Sequence, residues 1–183
     1  MSTTTWKLDP SHSSVEFAAK HMMFTTVKGR FADVEGTITT DGETPSTASV
    51  NVIMQATSID TRNEMRDNHL RSADFLDAAS QPVLTFKSTS IQGAKDHFTV
   101  IGELTIRGVT RPVTLDVQYE GAGRDPWGGE RMGFSASGKI DRRDFGLTWN
   151  QALEAGGVLV SNDIRINIDA QLTRVEAQVT QAA

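Results

Sequence analysis

The sequence contains no cysteine, which excludes disulfides, thiolate metal sites and cysteine nucleophiles from the outset. No apolar run approaches the roughly 18 residues that a membrane-spanning helix needs. The opening Met1-Ser2-Thr3-Thr4-Thr5-Trp6-Lys7 has no basic lead, no apolar core and no small-residue cleavage site. A secretory leader is therefore not expected, and a cytoplasmic location is. Histidine is sparse: His12, His21, His69 and His97 stand far apart, in no HxH or HExxH arrangement, so no metal site is expected. Positive charge is not in excess either. The formal net charge is −5, whereas nucleic-acid-binding domains carry a concentrated basic surface, so no nucleic-acid partner is expected.

What the chain does have is ordinary globular composition, with 38% hydrophobic and 22% charged residues. Its 183 residues suit a single domain, 1–183, with a core at about 6–175 and a frayed tail after Val175. Alternation with period two dominates. It runs through Val15, Phe17, Ala19, His21, through Val34, Gly36, Ile38, and through Val50, Val52, Met54, Ala56. It returns in Phe98, Val100, Gly102, Leu104, Ile106, in Val113, Leu115, Val117, Tyr119, and in Met132, Phe134, Ala136, Gly138, Ile140. A last run is Ile164, Ile166, Ile168, Ala170, Leu172. Side chains alternate across a strand, so each run buries one face, a pattern that suits antiparallel rather than parallel sheets. Turn residues fall between the runs at Asp41-Gly42, Gln92-Gly93, Arg107-Gly108, Gly121-Ala122-Gly123, Asp125-Pro126-Trp127-Gly128 and Gly156-Gly157. About eight short strands joined this way indicate an all-β sandwich or barrel.

Two segments break the rhythm. Thr61-Arg62-Asn63-Glu64 has the spacing of a capping box, which predicts a short helix over 62–71. An irregular or helical stretch is expected over 141–153. The densest charge cluster (Arg62, Glu64, Arg66, Asp67, His69, Arg71, Asp74) reads as surface ion pairing, or as an arginine site for a phosphate or carboxylate head group. Arg142-Arg143-Asp144 carries the same two readings. His21 shares parity with Val15, Phe17 and Ala19, as a core histidine or as a donor to a ligand's polar end.

No complete catalytic set is present, so no catalytic residue or cofactor is expected. Gly133-Phe134-Ser135-Ala136-Ser137 approximates a nucleophile elbow, but it lies within a strand and ends in serine. Asp144-Phe145-Gly146 matches the magnesium-binding triplet of kinases without any of that fold's other motifs.

Certain residues together resemble the YceI-like, or polyisoprenoid-binding, family. They begin with Trp6, Asp9-Pro10, His12-Ser13, Phe17, His21-Met22, Val27, Gly29 and Phe31. They continue through Ser58-Ile59-Asp60-Thr61, Arg66-Asp67, His69-Leu70-Arg71-Ser72 and Asp74-Phe75, then Pro82, Thr85-Phe86 and Ser88-Thr89. Gly102, Leu104-Thr105-Ile106, Gly108-Val109-Thr110, Pro112-Val113, Ile140-Asp141-Arg142, Asp144-Phe145-Gly146-Leu147 and Trp149-Asn150 complete the collinear match. The resemblance implies an extended, lipocalin-like antiparallel β-barrel, often a homodimer, with an isoprenoid or other long amphipathic chain inside. Many relatives are exported to the periplasm, which this chain's opening does not suggest.

On that reading the barrel binds a polyisoprenoid, quinone-like or a prenyl phosphate, or a fatty-acid-like ligand, for transport, storage or sequestration. The candidate apolar walls are Phe17, Ala19, Phe31, Met54, Met65, Leu70, Phe75, Phe86, Leu104 and Phe134. The candidate polar contacts are His21, Arg62, Arg66 and His69. Small inward residues such as Gly36, Gly102 and Gly138 are expected to leave the room. The alternatives are an enzyme on an isoprenoid-like substrate, with His21 or His69 as base, and a structural or stress-response protein with a packed barrel.

Overall fold

In the computed structural model, which describes residues 3–41 and 45–175, almost every strand pairs with neighbours on both sides. The Gly42 turn and the tail after Val175 lie outside the described residues. The strands are β1 (Thr3–Leu8), β2 (Ser14–His21), β3 (Thr25–Phe31), β4 (Val34–Asp41), β5 (Ser49–Gln55) and β6 (Ile59–Asp60). They continue as β7 (Val83–Ala94), β8 (His97–Ile106), β9 (Val109–Arg124), β10 (Glu130–Asp141) and β11 (Asp163–Arg174). The one α-helix among the described residues is α1 (Glu64–Arg71).

The pairings reduce these eleven segments to eight staves. β2 pairs with β3 and β1 with β4, while β3 pairs with β6 and β4 with β5. So β1 and β2 are two halves of one bent strand, as are β3 and β4, and β5 and β6; eleven less three is eight. Each stave then pairs antiparallel with the next in sequence. The ring closes through β11, which meets β2 with its first half and β1 with its second. Closure satisfies the edge amides that an open sheet would present.

The first bend has a clear local cause. Pro10 lacks an amide donor, and the Asp9 side chain accepts from Ser11 N at 2.9 Å, which ends β1 in a single 3-10 turn at Pro10–His12. The β8–β9 hairpin closes through Arg107 and Gly108 with φ of 51° and 72°, the left-handed pair that matches strand twist.

Register places the alternating apolar residues on one interior. Phe134 faces Ala170, Ala136 faces Ile168 and Gly138 faces Ile166 across β10–β11, while Ile166 and Ile168 face Phe17 and Val15 across β11–β2.

The helix differs from its sequence reading at its start. Asn63, not Thr61, is the cap, its side chain accepting from Arg66 N at 2.9 Å, and helical geometry begins at Glu64. Thr61 is buried before the helix, and Arg62 turns the chain with φ of 61°. The expected irregular stretch is a 3-10 turn at Arg142–Phe145 followed by open loop, braced by a bridge between Ala152 and Val158. Among the described residues no helix is long and apolar enough to cross a membrane.

The barrel is plugged at one end. Phe75, Leu76 and Ala78 after α1, with Phe145 and Leu147 from the loop after β10, pack against Met54, Ala56, Ile59, Leu84, Leu104 and Ile106. The Arg107 Nη1 donates to Phe75 O at 3.1 Å and ties the β8–β9 turn to this plug.

Inward glycines do not leave empty space. The Phe86 ring lies across Gly102, where an added Cβ would sit 2.3 Å from Phe86 Cζ and 2.7 Å from Lys87 O. Phe17 lies over Gly29 and Leu115 over Gly138 in the same way. Gly102→Ala is accordingly expected to destabilise the protein by about 1–3 kcal/mol through overpacking. A urea midpoint equal to the parent's would contradict that.

Candidate functional site

Above the plug the eight staves enclose a cavity of about 800 Å³. It lies in the upper part of the roughly 300–1,000 Å³ range of small-molecule sites. Twelve-residue strands such as β10 and β11, tilted as barrel strands are, give an interior on the order of 30 Å long. The walls are apolar almost throughout. Ile164, Ile166 and Ile168 point inward yet keep intermediate exposure, because the space they face is not filled by other side chains.

Of the predicted wall residues, Phe17, Ala19, Phe31, Met54, Leu70, Phe75, Phe86, Leu104 and Phe134 line this cavity. Phe17 and Phe31 meet with centroids 5.9 Å apart, and Phe134 packs on Tyr119 at 5.3 Å. Met65 does not join them. It is 84% exposed, on the side of α1 that faces away from the barrel, while Leu70 faces in.

None of the four predicted polar contacts lines the cavity. His21 has inward parity but lies beyond the last lining residue of its strand, Ala19, in a bridge with Val160. Arg62 is exposed in the turn before α1. Arg66 folds back on Thr61, donating from Nε to the hydroxyl at 2.7 Å and from Nη2 to the carbonyl at 2.8 Å. The His69 ring stands edge-on to Phe75 and Trp149, at 5.0 and 4.7 Å, and its Nε2 meets Asp74 Oδ2 at 2.8 Å.

This outer cluster is a brace for the plug. Buried Asp67 accepts from both the amide and the hydroxyl of Thr61, at 2.9 and 2.5 Å. Asp67→Ala leaves those two buried donors unmatched, and a loss of about 2–4 kcal/mol in urea unfolding is expected. Ligand affinity should be unchanged at temperatures where the variant is folded, since Asp67 does not reach the cavity.

The polar residue that does line the plugged end is Arg142, and it continues the inward parity of Met132 through Ile140 for one more step. That parity is the signal that separates it from its neighbours, since the sequence reading leaves the whole triplet open between surface ion pairing and a head-group site. The triplet in fact splits. Arg143 turns out to clasp Asp141 and holds that carboxyl down at about 2. Arg142 is only 4% exposed, and burial pulls its guanidinium below the ordinary arginine value, opposed by the Asp141 charge. At the opposite end the rim includes Thr4, Thr40, Pro45, Lys95 and Arg174, none of which the alternation singles out. Among the described residues no three acidic or histidine side chains come together to hold a metal ion.

With this geometry in place, the relatives are informative. The profile of the YceI-like domain matches residues 6–172. The protein YceI of Escherichia coli O157:H7 is 45% identical over 144 residues, 78% of this chain and 75% of that one. The crystal structure of Burkholderia cenocepacia BcnA superposes with a TM-score of 0.78 at 22% identity, covering 90% of this chain and 98% of that one. A polyisoprenoid binding domain from Saccharophagus degradans, implicated in plant cell wall breakdown, superposes with a TM-score of 0.66 at 16% identity, covering 93% and 98%. At those two identities the likeness speaks for the barrel alone.

Proposed function

The chain belongs to the family of YceI-like domains, and from that premise we propose that it binds a long amphipathic lipid inside its barrel. The ligand of this proposal is a polyisoprenoid, quinone-like or a prenyl phosphate, held for transport, storage or sequestration. The observation that carries it is the cavity: about 800 Å³ with walls of Phe, Ile, Leu, Val and Ala side chains. Such a space solvates an alkyl or prenyl chain better than water does, and cavities of this character favour apolar occupants. The polyisoprenoid binding domain from Saccharophagus degradans is built on the same barrel, so the architecture is one that can hold such a chain.

Binding rather than catalysis fits the histidines. His69 is engaged by Asp74 outside the cavity, and His21 lies past its end, so neither faces the space where a substrate would lie. A cytoplasmic location and a homodimeric assembly belong to the same proposal, to be checked by cell fractionation and light scattering.

The test is native mass spectrometry of protein purified from cells, with organic extraction of any passenger. Delipidation and refeeding with prenyl alcohols and prenyl phosphates of graded length follow. Uptake that rises with chain length until the barrel is full is the expected result. No passenger and no uptake at any length would sink the proposal.

A further inference from the structure

The guanidinium of Arg142 is bound on one side and unmatched on another. Its Nε donates to Ser161 O at 3.0 Å and its Nη1 to Leu147 O at 2.6 Å, while Nη2 has no acceptor among the described residues. Both acceptors are neutral carbonyls. The adjacent carboxylate, Asp141, is taken by Arg143, whose Nε meets both of its oxygens at 3.0 and 3.1 Å. A full positive charge therefore sits in the protein interior with no ion pair of its own among the described residues and with both N–H groups of Nη2 unmatched. Native proteins rarely leave either uncompensated.

The location gives this charge a use. Arg142 borders the cavity where the walls close, beside Ile140, Leu147, Val160 and Ile164, all apolar. We propose that Arg142 is the anchor for the polar end of the ligand: its guanidinium, whose unmatched Nη2 is closed off from the cavity, turns toward a carboxylate, phosphate or carbonyl oxygen that reaches this end of the barrel. The lipid then enters head first and its tail runs toward the rim at Pro45. This deepens the lipid-binding reading and rests on it. The competing anchors are the rim cations Lys95 and Arg174. Both are exposed, and Arg174 already pairs with Glu130 at 2.6 Å, so water and that carboxylate compete with any head group there.

The experiment compares three probes of equal chain length and different head: dodecanoate, dodecanol and dodecane, each displacing a fluorescent fatty acid. With the parent protein, dodecanoate should bind at least about tenfold more tightly than dodecane, as a charge-assisted bond in a dry site allows. Arg142→Met should bring the two within about twofold while dodecane affinity holds. Arg142→Lys should restore part of the preference. Lys95→Met and Arg174→Met should leave it intact.

Because Arg142 also ties β10 to the following loop, the parent protein supplies a second readout. Nitrogen-15 signals of the Arg142 side chain should shift with dodecanoate and not with dodecane. A head-group preference that survives Arg142→Met, or that disappears with Lys95→Met or Arg174→Met, overturns the anchor, as does an unmoved Arg142 signal. If dodecane binds and dodecanoate gains nothing over it, the anchor fails and the lipid cavity stands. If none of the three binds, the lipid-binding reading fails as well.

Discussion

Replacing Ala136 by phenylalanine is expected to lower lipid affinity on the order of a hundredfold while moving the melting temperature by no more than about 3 °C. Ala136 points inward from the middle of β10, opposite Ile168 on one side and Val117 on the other, and borders the cavity. In a solidly packed barrel, the same ring would have nowhere to go and overpacking would cost about 1–3 kcal/mol. Here it has open volume. It would displace about four methylenes of a bound chain, at about 0.8 kcal/mol each, roughly 3 kcal/mol in all and so about two powers of ten in Kd. Calorimetric melting and displacement of a fluorescent fatty acid, run on the same preparation, separate the cases. Retained affinity, or a melting temperature lower by ten degrees or more, would mean that the interior is not the space described.

How much of this was legible in the sequence follows from the range of each interaction. Strand parity is local, since neighbouring Cβ atoms must point to opposite faces, and it turns Phe17, Met54, Leu104 and Phe134 toward one interior. Parity says nothing about how far along the barrel a residue lies, which is why His21 has the right face and the wrong depth. On α1 the i, i+4 spacing groups Met65 with His69, yet which face docks is decided by the Leu70–Leu76 segment meeting the barrel end. Glycine content misled in another way. Gly102 and Gly29 are small because Phe86 and Phe17 lie on them, so the room in the barrel comes from its width and not from missing side chains. The joining of β1 with β2 into one stave, and the gathering of Thr4, Lys95 and Arg174 at one rim, depend on closure between distant strands and have no local signature.

The same distinction between wall and plug yields the largest stability effect. Phe145 is the most deeply buried large side chain described, at 1% exposure, and sits in the 3-10 turn that leads from β10 into the loop over the barrel end. Gly146, with φ of 76°, reverses the chain behind it, so the ring is driven inward among the residues of the plug. Phe145→Ala removes that ring from a region with no spare volume. The expected cost is about 3–5 kcal/mol, and at roughly 2–4 °C per kcal/mol for a chain of this size the melting temperature falls by about 10 °C. Phe145→Leu, which keeps most of the volume, should cost much less. The effect on ligand follows from the position: a hole in the plug joins the cavity from below, so a bound lipid should leave faster, while its entry from the Pro45 rim is unchanged. Stopped-flow release of a fluorescent fatty acid measures this directly. A variant with the parent's stability would mean that Phe145 is not packed as described. One that is destabilised but releases ligand at the parent's rate would place the exit at the rim alone, with the plug serving stability and taking no part in holding the lipid.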